Sequence, residues 1–127
     1  MLYLAFTVWI IYSLFEGVRE AFYWNLYPAY KFNIHTLFFL QRSLVLIIIT
    51  AFNIPMMLAC ALIFSFLHNG SYYTTRHLLN KTNYPKTWFD QSTTSTSWMT
   101  KLNSPASRTL QAAMGMGIFI LHVLNVF

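Results

Sequence analysis

Acidic residues are what this sequence has least of. Glu16, Glu20 and Asp90 are the only three, against eight Lys and Arg, so the net charge of +5 reflects scarce carboxylates as much as abundant bases. Charged residues make up 9% of the chain, where a soluble domain carries about a quarter. Cys60 is the single cysteine, which excludes an intramolecular disulfide and any cysteine-based zinc site. The four glycines, Gly17, Gly70, Gly115 and Gly117, form no phosphate-cradling loop. Histidines paired at helical metal-binding spacing are missing too, as is any Glu-x-x-His. The basic residues stand singly in two loops, and no nucleic-acid partner is expected from them.

What is present is apolar: 57% of residues are hydrophobic and 19% aromatic. A chain this short has too little interior to hide so many large side chains, and a lipid bilayer is the natural solvent for them. This excludes a soluble enzyme, a secreted disulfide scaffold and a disordered tail. The expected fold is all-α: a small polytopic membrane protein, one helical domain over 1–127 with four transmembrane helices. The spans fall at about 2–24, 36–52, 56–72 and 109–127, with a polar cytoplasmic loop over 78–107.

The first apolar stretch has no Lys or Arg before Arg19 and no small-residue cleavage site after it, so it reads as a retained helix rather than a signal peptide. The aromatics Phe22, Tyr23, Trp24 and Tyr27 suit an interfacial belt, and Pro28 ends the segment. The stretch 36–68 is too long for one span: as a straight helix it would measure about 50 Å, against a hydrocarbon core of about 30 Å. Two arrangements follow. In one, Asn53-Ile54-Pro55 turns the chain into a helical hairpin. In the other, a kinked helix over about 43–67 leaves three spans. The hairpin puts both basic loops on one face, with both termini outside, as the positive-inside rule prefers. His68-Asn69-Gly70-Ser71 reads as a helix end. Gln91 to Ser97 is expected to be a solvated surface loop, with Trp88 and Trp98 anchoring it. In the last span Ser104 caps, Pro105 starts the helix, and Ala113 and Gly117, four apart, offer a small-residue face for another helix.

Ionisable side chains in membrane segments are costly and tend to be paired or functional. On the first helix Glu16, Arg19, Glu20 and Tyr23 share a face, which Trp9 and Tyr12 extend. With Trp24 so near, an end-of-helix ion pair at headgroup level is the favoured reading, ahead of a buried polar site. The hairpin brings His35, Arg42, His68, Arg76 and His77 towards the same side, making one candidate polar cluster of these residues with Glu16, Arg19 and Glu20. A metal site would draw on the same carboxylates and imidazoles, and haem on His35 and His68. The spacings support neither, and no cofactor is expected. A Ser92, His77, Asp90 arrangement can be drawn without anything in the sequence demanding it. Asn69 and Asn80 head formal glycosylation triplets on what would be the cytoplasmic side, where they would go unused.

The expected function is that of a structural or interaction subunit of a homo-oligomer or a larger membrane assembly. The alternatives are an oligomeric channel or transporter lined by Glu16, Arg19 and His68, and a membrane enzyme or redox protein using the Glu, His and Arg cluster. A bacterial or mitochondrial inner membrane suits a disulfide-free chain of this kind.

Overall fold

The computed structural model describes residues 1–27, 34–91 and 103–126, and these form four α-helices with no strand among them. They are α1 (Leu2–Leu26), α2 (Ile34–Thr50), α3 (Ile54–Leu79) and α4 (Pro105–Val123). Two of them, α1 and α3, are long and apolar enough to cross a membrane. The start of α3 shows why the chain turns where it does. Asn53 Oδ1 accepts a hydrogen bond from the Met56 amide at 3.0 Å, and Pro55 occupies the first turn, where its missing N–H costs nothing. Ala51 and Phe52, at φ 48° and 61°, take the left-handed backbone that reverses the chain. The single kinked helix over 43–67 is thereby replaced by two helices.

Side-chain pairings give the directions. Trp9 Nε1 donates to the Cys60 carbonyl at 2.7 Å, and further along the same two helices Glu20 meets His68, so α1 and α3 run parallel. Phe38 packs edge-on against Tyr23 while Arg42 reaches Glu16 and Glu20, so α2 runs against both. Arg108 lies over Tyr73, Gly115 touches Ala59 and Ile63, and Phe119 stacks on Phe6, which makes α4 antiparallel to α3. The result is an up-down-up-down bundle. The C-terminal ends of α1 and α3 and the N-terminal ends of α2 and α4 lie at one end and the 51–53 turn at the other.

The core is graded along the bundle. Phe6, Trp9, Met56, Ala59, Cys60, Ile63 and Phe119 fill the half nearer the 51–53 turn. Towards the loop end the buried side chains become Ser13, Glu16, Glu20, His68 and Ser71. Where α1 and α3 come closest, Gly17 faces α3, and a Cβ there would run into the Ser71 hydroxyl and the His68 carbonyl oxygen. Ser13, Gly17 and Ala21, each four residues after the last and all buried, form the small-residue face that permits this approach.

Several boundaries differ from the sequence reading. The helix expected to stop near 72 continues through Asn69 and Gly70 to Leu79. The Trp88 ring lies where a Gly70 Cβ would be, and the Asn69 amide oxygen stands 3.1 Å from His68 Nδ1, so the apparent turn signal is used for packing and hydrogen bonding. Trp88 accordingly packs on Gly70 and Phe66 rather than anchoring a surface loop. The loop runs from Asn80 to Ser104 instead of 78–107; its stretch 92–102, with most of the Ser/Thr run and Trp98, lies outside the described residues, as does Pro28. The last helix starts at Pro105, capped by Ser104, and ends at Val123, before Asn125 takes a left-handed backbone at φ 56°. On this helix it is Gly115 that touches α3. Ala113 is exposed, and a Cβ at Gly117 would meet nothing within 4 Å among the described residues.

Candidate functional site: a buried ion network between three helices

The spacing of α1 places Glu16 and Glu20 one turn apart on its inner face, directly below the apolar stripe of Phe6 and Trp9. Both are buried, at 4% and 8% exposure, so the headgroup-level ion pair gives way to an interior site. Glu16 Oε2 accepts hydrogen bonds from Arg19 Nη2 at 2.8 Å and Arg42 Nε at 3.4 Å. Glu20 Oε1 accepts from Trp24 Nε1 at 3.2 Å. The other Glu20 oxygen, Oε2, takes two donors, Arg42 Nη2 at 2.5 Å and His68 Nε2 at 2.8 Å. A carboxylate only accepts, so the imidazole and the guanidinium converge on one oxygen. The three helices α1, α2 and α3 together bring in two carboxylates, two guanidinium groups and one imidazole.

Aromatic rings close the network. The Arg42 guanidinium lies 5.3 Å from both the Phe38 and Phe64 ring centres, and the Phe64 ring also stacks on His68 at 5.0 Å. Such contacts hold a cation where water is excluded. Arg19, the most exposed member, lies 4.8 Å from the Phe38 ring centre and donates to Gln41 Oε1 at 3.1 Å.

Five of the eight residues singled out in the sequence therefore meet: Glu16, Arg19, Glu20, Arg42 and His68. The other three do not join them. His35 is exposed and rests against Trp24 at 5.4 Å. His77 Nδ1 pairs with the Tyr84 carbonyl at 2.6 Å. Arg76 binds Asp90 at 2.8 Å in a second cluster, where Arg108 Nη2 also donates to the Asp90 carbonyl at 2.8 Å. His35 and Arg42 are two turns apart, yet the seven-residue step carries His35 past the end of the packed region. The haem pair of His35 and His68 thus falls apart, one imidazole being exposed and the other buried. His122 is on α4, towards the opposite end. Among the described residues no three His, Cys, Asp or Glu side chains come together as a metal site would need. Ser92, required for the drawn triad, lies outside them.

Sequence reasoning places neither Gln41 nor Asn69 in the polar cluster, and it does not pair Asp90 with Arg76 and Arg108. Gln41 had a signal: an amide next to Arg42 in an otherwise apolar helix. Asp90 had one as well, since a lone Asp among so many cations is bound to be sought by them. Comparison with protein-family models, with curated proteins and with solved structures finds no match to this chain.

Proposed function

We propose that the chain is a small multi-pass membrane protein, a structural or interaction subunit of an oligomer or larger membrane assembly, with all four helices crossing the bilayer. One observation supports this above others: the distribution of side chains is inverted relative to a water-soluble bundle. Glu16, Glu20, His68 and Arg108 are inside, while Phe15, Leu44, Ile48, Leu110 and Ile120 are outside, each half or more exposed. Exposed apolar surface on this scale calls for lipid or for other helices.

Helix lengths support that reading for α1 and α3, while the 17 residues of α2 make about 25 Å. From Ile54 to Leu67 α3 is uncharged over 14 residues, about 21 Å, which is less than a typical hydrocarbon core of about 30 Å. The ion network would then lie within the hydrocarbon, where only a charge-balanced, fully bonded set is tolerable. Glu16, Glu20, Arg42 and His68 bond to one another across three helices, which favours a lock between helices over the lining of a path. The bilayer would be that of an energy-transducing inner membrane, bacterial or mitochondrial.

Topology is the test. On a Cys60→Ser background, single cysteines at Tyr27, Phe52 and Thr82 are exposed to a membrane-impermeant thiol reagent in intact cells. Tyr27 and Thr82 should label from one side and Phe52 from the other. Labelling of Tyr27 and Thr82 from opposite sides would overturn the four-span arrangement. If Glu16→Gln changed ion flux in liposomes while leaving assembly intact, the transport alternative would replace the subunit.

A further inference from the structure

The second polar cluster, at the loop end of the bundle, does not balance. Arg76 and Arg108 both lean on Asp90, one on its carboxylate and one on its backbone carbonyl. Both guanidinium groups also face the Tyr73 ring, at 4.7 and 5.4 Å. Asp90 supplies the only negative charge. Arg108 is 1% exposed, yet among the described residues its Nε and Nη1 have no hydrogen-bond partner, and Arg76 Nε is likewise buried and without one. A buried guanidinium with idle N–H groups is costly, and the usual remedy is an anion.

No side chain of the protein can supply one. Glu16 and Glu20 are committed to Arg19, Arg42 and His68. Asp90 is the third and last acidic residue in the entire sequence, residues outside the described segments included. An anion that compensates this cluster would have to come from another molecule. Beside Arg76 lies a groove of about 240 Å³, walled also by Trp24, Asn25, Tyr72, Asn80 and Tyr84, between the C-terminal ends of α1 and α3.

We propose that Arg76 is the contact for a phosphate group entering at this groove, with Arg108 taking over its carboxylate partner Asp90. The phosphate takes Arg76, and the Asp90 carboxylate swings to the Nη1–Nη2 edge of Arg108, whose Nη2 already holds the Asp90 backbone. Both arginines then have a planar, bidentate partner, the geometry in which guanidinium binds oxyanions best. Depth suggests where the phosphate comes from. Arg76 is 22 residues beyond Ile54 along α3, about 33 Å, which is headgroup level for a core of about 30 Å. An anionic phospholipid and a free phosphate share the recognised chemistry. The lipid source rests on the bilayer reading above; the free-phosphate source does not.

Thermal unfolding of the full chain in a neutral maltoside detergent separates them. The added probes are phosphatidylglycerol, phosphatidylcholine, inorganic phosphate, and sodium chloride at matched ionic strength. At saturation the midpoint should rise on the order of 5 °C with the bound species and not with phosphatidylcholine or chloride. A rise with phosphatidylglycerol alone identifies a lipid headgroup. A rise with inorganic phosphate supports the site even if the bilayer reading has failed. Arg108→Gln should abolish the rise, because the remaining Arg76–Asp90 pair is neutral. Asp90→Asn should enlarge it, because two uncompensated arginines remain, and this variant serves if Arg108→Gln does not fold. No rise above chloride in the wild type overturns the site. So does an equal rise in Arg108→Gln, which would mean diffuse attraction by the loop lysines, or an unchanged rise in Asp90→Asn.

Discussion

Arg42 is the residue that ties three helices together, since it alone touches Glu16, Glu20 and His68. Its position in the sequence, a single cation in an apolar run, announced that it needed partners. Which partners was not legible, because reach across helices depends on how far each is rotated about its axis. The same reasoning separates the network's members in energy. Glu20→Gln leaves Arg42 buried with one weakened partner, and breaking a buried pair on one side costs about 3–5 kcal/mol. Arg19 keeps 44% of its side chain exposed, and surface pairs of that kind contribute about 0–1 kcal/mol. Chemical unfolding in detergent should therefore show Glu20→Gln far less stable than wild type and Arg19→Gln nearly unchanged. Equal losses would mean that the network is not the interior lock described here.

The helix α1 carries its assignment in its own spacing. Phe6, Trp9, Ser13, Glu16 and Glu20 recur at three- and four-residue steps and turn from apolar to polar along the axis. Running parallel to it, α3 changes character at the same height, from Met56, Ala59 and Cys60 to His68 and Ser71. The two gradients match only in the parallel orientation, which an intervening antiparallel helix provides. Small residues set the spacing. Ser13, Gly17 and Ala21 were available to sequence reading and were passed over in favour of Ala113 and Gly117, because a small-residue face carries no mark of which neighbour it meets. Gly17→Leu should force α1 off the α3 backbone, destabilising the fold by about 1–3 kcal/mol or more. Gly117→Leu, facing open space, should leave the unfolding midpoint of the monomer within error. Thermal unfolding of both variants side by side checks the contrast.

For the molecule as a whole, the free face of α4 becomes the expected contact with other helices. Leu110, Met114 and Leu121 are exposed there along with Ala113. A subunit of the proposed kind should elute as a discrete oligomer in mild detergent, with Gly117→Leu shifting it several-fold towards monomer in cross-linking or light-scattering measurements. A wild-type chain that remains a monodisperse monomer under those conditions would count against the subunit reading. Together with the unaltered stability expected of the same variant, the experiment distinguishes loss of association from loss of fold.

Composition and period were enough to determine an all-helical chain and the short set of ionisable residues that had to find one another, while Asn53-Ile54-Pro55 left a hairpin and a kinked helix both open. These follow from local rules: apolar runs without breakers and the scarcity of acids. Only the tertiary structure decided that Glu16 and Glu20 lie inside, that His35 and His77 stand apart from His68, and that Gly70 receives Trp88 instead of ending a helix. Each of these depends on the rotation and height of one helix against another. A sequence specifies which face of a helix is sticky, but the partner that covers it is chosen by the packing of all four at once.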